Sequence, residues 1–476
     1  MASERQETRK LGSTLVLGLG KTGRDVALYL RGLEGAGRVS SVTLYGGASS
    51  TEGEASRALE EAGVRVVLGT DQVEGTFDLA VASPGIPEAS DFFQSARAHA
   101  GQVIGEPELA WRESPRDWVA ITGTNGKTTT TSLAQAMLDR LPAGAVAVGN
   151  IGTPTIEAVT ARPRGQWMVA ELSSFQLQTS VDLHPRAACL LNITADHLEW
   201  HRTMEAYAAA KEKVFRNLTP TDLAIVSRDD AYCRDIRARL LDRGLRVLTL
   251  DARREPDGAC AAFVREGRLH VRLDGVDHDL MAVGDMPIQG IHNVEDALAA
   301  SAIALDLGVR PEDVRAVLAT FRPLAHRIEP CGQVAGVSFV DDSKATNPDS
   351  VVKALTAFPQ GRTVILLGGY DKGLDLAPLA REVAGACKAA VCFGACGDRM
   401  AQALEAALAD APSACSVVRA GGLRDGFAKA LEVAERGDTV LLSPACSSFD
   451  EFRNMAERGD LFKALVAAHA GRTGRP

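Results

Sequence analysis

The chain has 476 residues, 46% of them hydrophobic and 24% charged, a globular composition that leaves room for about three domains of ordinary size. No run approaches the roughly 18 apolar residues that cross a bilayer, and the charged residues 1–10 lack the apolar core of a secretory signal; the expectation is a cytoplasmic protein without membrane insertion. The net charge of −9 is dispersed, with no basic block or aromatic-basic stripe, which argues against a nucleic-acid partner and leaves small anionic ligands to local sites.

Residues 13–18 read as a buried strand, and Gly18-Leu-Gly20-Lys-Thr-Gly23 as a glycine turn into a helix over 24–31. Further strands are expected at 39–44, 64–68 and 78–82, the last running into Ser83-Pro84-Gly85. A dinucleotide site needs an acid about twenty residues past the glycines. Tyr45, Gly46 and Gly47 stand there, so the phosphate of another nucleotide fits better than NAD.

The apolar run 118–121 leads into Thr122-Gly-Thr-Asn-Gly-Lys-Thr-Thr-Thr130, followed by a helical pattern over 132–141. A strand, a glycine loop, then Lys and Thr at a helix start form a phosphate cradle, with backbone N–H groups and the helix dipole facing the anion. Lys127 is placed to reach the terminal phosphates and Thr128 to offer its hydroxyl to Mg²⁺. The common phosphate loop has Gly where this chain has Ile121, so the loop is a variant.

Strands are expected at 167–170, 187–191 and 223–226, alternating with helical patterns as in parallel sheets. Glu171, after the first of these, could hold Mg²⁺ or serve as a surface acid. His197 and His201 are four apart but lack HExxH order; one imidazole could act as a base or Mg²⁺ neighbour, or be structural. Met204, Tyr207, Lys211, Val214 and Leu218 form one apolar stripe on a helix over 204–218. A lysine there either snorkels or, as buried amines can, becomes a nucleophile open to CO₂.

A third block opens near His326-Arg327, with strands expected at 337–340, 364–367, 390–393 and 439–442. Asp341-Asp-Ser-Lys-Ala-Thr-Asn347 groups acids, Lys344 and hydroxyls at a strand end, and phosphoryl transfer needs such cations around the γ-phosphate, delivered on closure. The nine cysteines read as free buried thiols; Cys387, Cys392 and Cys396 lie near each other without Cys-x₂-Cys spacing, a zinc site being the other reading.

Gly123-Thr-Asn-Gly-Lys-Thr129, Glu171, Asp196-His197, His292-Asn293, His326-Arg327 and Asp342-Ser-Lys-Ala-Thr-Asn347 together resemble the Mur ligases over nearly the whole chain. These are ATP-dependent amide-forming enzymes of peptidoglycan synthesis, tied to cell-wall biogenesis, cell shape and cell division. Residues 83–86, 171–177 and 442–446 most resemble the D-glutamate-adding branch. The resemblance implies an α/β protein of three domains. These are an N-terminal Rossmann-like UDP-substrate domain (1–106), a central P-loop ATPase-like domain (107–324), and a C-terminal Rossmann-like domain (325–476) that binds the amino acid and closes on ATP.

It implies ATP on Gly123, Thr124, Asn125, Gly126, Lys127, Thr128, Thr129, Asn293, Asp296, Arg327 and Asp342, with Lys127, His197, Lys211 and Lys344 catalytic. Two Mg²⁺ ions would lie among Thr128, Glu171, His197 and Lys211, the last carbamylated into an anion. UDP-MurNAc-L-Ala would meet Lys21, Thr22, Ser83, Pro84, Gly85, Asn150 and Gln176, and D-glutamate would meet Thr346, Lys372, Ser448 and Phe449. The chain would act as a monomer. Two positions depart from the family: Asp296 stands where an amide is usual, and Met455 where an aromatic often packs. The other readings are a sister ligase, a folylpolyglutamate-synthase-like ligase, and a non-enzymatic nucleotide switch.

Overall fold

The computed structural model describes residues 10–288, 290–322 and 325–473; residues 1–9 and Leu324, the expected end of the central domain, lie outside the described residues. Contacts divide the chain into two compact units. One comprises Met1–Ile193, His197–Ala282 and Asp296–Val317, the other Thr194–Asp196, Val283–Glu295 and Leu318–Pro476.

The first unit holds two sheets. In the N-terminal one the strands lie in the order Arg65–Val67, Val39–Tyr45, Gly12–Leu17, Leu79–Ala82, Val103–Gly105, all parallel. The helix Lys21–Gly32 turns Gly23, Val26, Ala27 and Leu30 inward, the three-and-four spacing of an amphipathic helix. Gly23 must be glycine, because a Cβ there would stand 1.9 Å from the Gly18 carbonyl oxygen.

The central sheet runs Val276–Ala282, Arg268–Leu273, Ala261–Arg265, Arg246–Asp251, Leu223–Ser227, Ala187–Leu190, Trp118–Thr122, Trp167–Glu171, Ala145–Gly149. Its last seven strands are parallel, and their apolar runs are buried, as two-sided coverage requires. The first two are antiparallel additions, joined through Glu266-Gly267 and Asp274-Gly275. All four turn residues have positive φ, the two-residue hairpin geometry that matches strand twist.

One apolar core extends from Val26 and Leu30 through Leu109 to Trp118 and Ala120. Fully buried Glu108 fastens it: its carboxylate accepts the N–H groups of Val181, Asp182 and Leu183 and the Nε of Arg112, the pairing a buried charge demands.

The second unit's sheet runs Glu329–Val334, Val337–Asp341, Thr439–Ala445, Thr363–Gly368, Ala389–Phe393, Ser416–Arg419, parallel except at its first pair. Ile365 and Leu367 face one apolar cluster while Val364 and Leu366 face another, the period-two alternation of a sheet covered on both sides. Among the described residues no helix is long and apolar enough to cross a membrane.

Candidate active site

Open α/β sheets place ligands beyond the carboxyl ends of their strands, and the predicted chemistry gathers there. In the first unit Gly123 (φ 154) and Gly126 (φ 84) bend the loop after the central strand. Gly126 caps the helix Lys127–Leu138, so this helix starts five residues before the expected 132: the Lys and Thr of the loop are its first turn. The first turn of a helix turns its backbone N–H groups toward an anion.

Asn192, at the end of the neighbouring strand, holds the loop. Its Oδ1 accepts Asn125 N–H at 2.8 Å, its Nδ2 donates to the Asn125 carbonyl, and its own carbonyl accepts Thr124 N–H. Lys127 Nζ donates to the carbonyls of Gly123 and Thr124 at 2.9 and 2.8 Å, the position from which it would turn toward a phosphate.

Asp296 closes the other side, accepting from Thr130 Oγ1 at 3.1 Å. A Cβ on Gly126 would lie 2.2 Å from Asp296 Oδ1, on backbone at positive φ. Gly126→Ala is therefore expected to lower stability by about 2 kcal/mol and to weaken ATP binding. Thermal melts with and without nucleotide check this; an unchanged melt and affinity would refute it.

Glu171 pairs in register with Ile121 on the adjacent strand, which sets its carboxylate beside the loop. It is 1% exposed. Its Oε1 accepts from Asn150 Nδ2 at 2.8 Å, whereas Oε2 is buried with no hydrogen-bond partner. A buried carboxylate oxygen without a partner is costly, and a hard cation supplies what it lacks. Buried Thr128, and Thr129 with its unpartnered Oγ1, stand at the start of the adjoining helix. The donor set fits Mg²⁺.

Lys211, 1% exposed on the helix Met204–Glu212, donates from Nζ to the Gly123 carbonyl at 2.7 Å and lies 4.6 Å over the Tyr207 ring. Tyr207 in turn hydrogen-bonds Thr124 Oγ1 at 3.1 Å. The apolar stripe thus points its lysine at the phosphate loop and not toward water.

The two histidines separate in role. His197 is partly exposed, adopts a left-handed backbone (φ 53) and meets Phe175 edge-on at 4.8 Å. His201 is buried, bonded to Ser174 Oγ at 2.9 Å and stacked on Phe175. Burial, and then the charges of Lys211 and His197, push His201 down to about 4, which keeps it neutral and structural near pH 7.

In the N-terminal sheet Ser83 Oγ is buried without a hydrogen-bond partner, 2.9 Å from where a Cβ on Gly18 would stand. Ser83 therefore faces the glycine turn that carries Lys21 and Thr22, and Pro84 and Gly85 follow it in the chain. Lys21 pairs with Asp25 at 2.9 Å and Glu157 at 3.7 Å. Asn150 is tied to Glu171, and Gln176 completes a capping box with Ser173.

In the second unit Thr346, Lys372, Ser448 and Phe449 follow three adjacent strands at one sheet edge. Lys372 Nζ and Asn347 Nδ2 both reach Asp196, each at 3.3 Å. Ser448 is buried and Phe449 is 68% exposed. Lys344 is held by its N–H to the His326 carbonyl, and His326 Nδ1 meets Asp341 at 2.7 Å.

Asp342 is buried, accepting from Ser443 Oγ at 2.7 Å. Burial, opposed by Ser443 and Arg327, pushes it up to about 7. Arg327 Nε is buried without a hydrogen-bond partner, and the neighbouring His292 is pushed down to about 3 by burial and then by the Arg327 and Lys353 charges. His292 is therefore neutral near pH 7, and Arg327 and Lys353 carry the positive charge of this corner.

Among the described residues one cluster has metal-ligand spacing, His326, Glu329 and Asp341. Its members are bound to each other and to Lys463. The zinc reading of Cys387, Cys392 and Cys396 gains nothing; all nine cysteines are free, eight of them buried. Sequence reasoning missed Asn192, although an Asn ending a strand beside a glycine loop is a readable signal. It also missed Arg458, fully buried, which donates to Ser343 and to the carbonyls of Cys446 and Ser447; no local pattern announces it.

Residues 121–304 match the Mur ligase middle domain, and residues 326–446 the Mur ligase, glutamate ligase domain. The chain is 39% identical over 462 residues to a protein of Acidobacterium capsulatum named UDP-N-acetylmuramoylalanine–D-glutamate ligase, covering 96% of each. It is 40% identical over 460 residues to a protein of the same name from Frankia casuarinae, covering 96% of this chain and 94% of that one. The solved UDP-N-acetylmuramate-alanine ligase of Thermotoga maritima shares the fold with a TM-score of 0.55 at 19% identity, over 96% of this chain and 99% of that one.

Proposed function

The chain belongs to the Mur ligase family, and we infer that it joins D-glutamate to UDP-N-acetylmuramoyl-L-alanine with ATP, making a peptidoglycan precursor, ADP and phosphate. A carboxylate is a poor electrophile and its oxygen a poor leaving group. The γ-phosphoryl of ATP passes to the alanyl carboxylate, giving an acyl phosphate; the D-glutamate amine attacks its carbonyl carbon, and the tetrahedral intermediate expels phosphate as the amide forms.

The residue roles are our own assignment, and the buried, unpartnered Glu171 Oε2 beside the phosphate loop is the observation that carries them. Lys127 would turn from the Gly123 and Thr124 carbonyls to the β- and γ-phosphates, and Lys344 and Arg327 would bring further positive charge to the transferring group. Asn192 fixes the shape of the loop by accepting the Thr124 and Asn125 N–H groups. Asn293, Asp296 and Asp342 would complete the ATP site. Thr128, Glu171, His197 and carbamylated Lys211 would hold two Mg²⁺ ions, which when bound offset phosphoryl charge. Alternatively, His197 would accept the amine proton.

The UDP substrate would lie on Lys21, Thr22, Ser83, Pro84 and Gly85 and reach Asn150 and Gln176. D-Glutamate's two carboxylates need a cation and hydroxyl donors, which Lys372, Thr346 and Ser448 supply, with Phe449 alongside. We place the enzyme in the cytoplasm, where ATP is available, as a monomer of three domains bounded near 106 and 324.

Phosphate release with UDP-MurNAc-L-Ala tests this, offering D-glutamate, L-glutamate, meso-diaminopimelate or L-lysine. Turnover with D-glutamate alone is expected. A different preferred acceptor would move the chain to a sister ligase, and silence with all four would favour a nucleotide switch.

A further inference from the structure

The buried carboxyl group of Glu106 takes no part in the ligation as assigned above. It stands where the chain leaves the N-terminal sheet, directly after the strand Val103–Gly105 and at the start of the helix Glu106–Glu113. It is 3% exposed, and its Oε1 accepts the N–H of Ile156, 50 residues further along the chain, at 2.6 Å.

The helix that receives this bond, Thr155–Thr160, cannot cap itself. The first N–H groups of a helix have no partner within it, and the residue before this one is Pro154, whose side chain carries no acceptor and makes no capping bond. Glu106 supplies the acceptor from outside, and a carboxylate at a helix N-terminus also matches the helix dipole. Burial pushes the Glu106 carboxyl up, yet in either protonation state one oxygen is left to accept the N–H.

The helix start fixes the turn before it. Gly149 N–H donates to the Thr153 carbonyl at 3.2 Å, and Gly149 and Gly152 have φ of 96° and 69°, so residues 149–153 form a closed turn that moves with the helix. Asn150 sits in that turn, and it donates its N–H to the Glu171 carbonyl at 2.9 Å and its Nδ2 to Glu171 Oε1 at 2.8 Å. The same helix also meets the helix Lys21–Gly32: Ile156 shares a buried apolar cluster with Val26 and Leu30, and Glu157 lies 3.7 Å from Lys21. One bond from Glu106 thus sets a helix linked to both Lys21 and Asn150.

We propose that Glu106 is a positioning residue for the UDP substrate: by capping Thr155–Thr160 from the end of the N-terminal sheet, it holds the Lys21 turn and the Asn150 turn at the spacing that one nucleotide-sugar ligand needs. This rests on the assignment of Lys21 and Asn150 above.

Calorimetric titration of the full-length protein with UDP-MurNAc-L-Ala tests it, beside phosphate release that gives separate KM values for UDP-MurNAc-L-Ala and D-glutamate. Glu106→Ala is expected to weaken binding and raise the KM for UDP-MurNAc-L-Ala roughly tenfold, the scale of one hydrogen bond to a charged group, and to leave the KM for D-glutamate unchanged. Glu106→Gln keeps the accepting oxygen and should behave as the wild type. Should the alanine variant not fold, Glu106→Asp, one methylene too short to keep the bond to Ile156, takes its place with the same expectation. A folded variant that melts lower but binds UDP-MurNAc-L-Ala as tightly as the wild type would reduce Glu106 to a structural cap and overturn the proposal. Equal rises in both KM values, or a glutamine variant as impaired as the alanine one, would overturn it too. If the wild type binds UDP-MurNAc-L-Ala without turnover, the ligase reading falls and calorimetry still decides the role of Glu106; absence of binding would overturn both.

Discussion

Replacement of Lys211 by alanine is expected to cut turnover by roughly a thousandfold, the scale of removing one essential electrostatic contact in an active site, and short carboxylic acids such as acetate are expected to restore part of it. The amine is 1% exposed and bonds the Gly123 carbonyl; a purely structural lysine would explain the bond but not the rescue. With CO₂ added, the nitrogen gains a carboxylate at the edge of the phosphate loop, close to where Mg²⁺ would lie. Alanine leaves a gap that a small carboxylate can enter. Phosphate release measured against acetate concentration, with circular dichroism to establish folding, checks the claim. Full activity of the variant, or a folded variant that no carboxylate rescues, would sink it.

Glu171→Gln should separate stability from activity. The change removes a buried charge whose Oε2 has no partner while keeping an oxygen for Asn150. The metal-free protein should therefore melt at the same temperature or higher. Turnover should fall by roughly a hundredfold or more, and the Mg²⁺ concentration for half-maximal rate should rise. Unchanged Mg²⁺ dependence with unchanged turnover would show that Glu171 does not face the ion.

Much of this could be read in the sequence because its signals are local. The strands 118–121 and 187–191 are apolar runs bounded by turn residues, and the structure places strands at Trp118–Thr122 and Ala187–Leu190. The bend of the glycine loop was legible because its backbone needs glycine, as at Gly123 and Gly126 with their positive φ. Asp274-Gly275 was an equally plain hairpin signal, yet the antiparallel strands beside it went unread because charges on one face interrupt any apolar run, as at Asp277 and Asp279 in Val276-Asp-His-Asp279. The helix Met204–Glu212 also stops short of 218, tightening into a 3-10 turn at Lys213–Phe215. Arg458 and Asp196 acquire partners more than a hundred residues away, and no local period encodes such pairings.

The antiparallel extension of the central sheet has a bearing on life in a crowded solution. A parallel sheet ending at Ala261–Arg265 would expose an apolar edge ready to pair with any extended chain, the first step of strand-to-strand aggregation. The hairpins move that edge outward to Val276–Ala282, whose Asp277 and Asp279 are already claimed by Arg265 and Arg268 at 3.1 and 2.8 Å. An incoming strand would have to break those pairs and set its own side chains against charge.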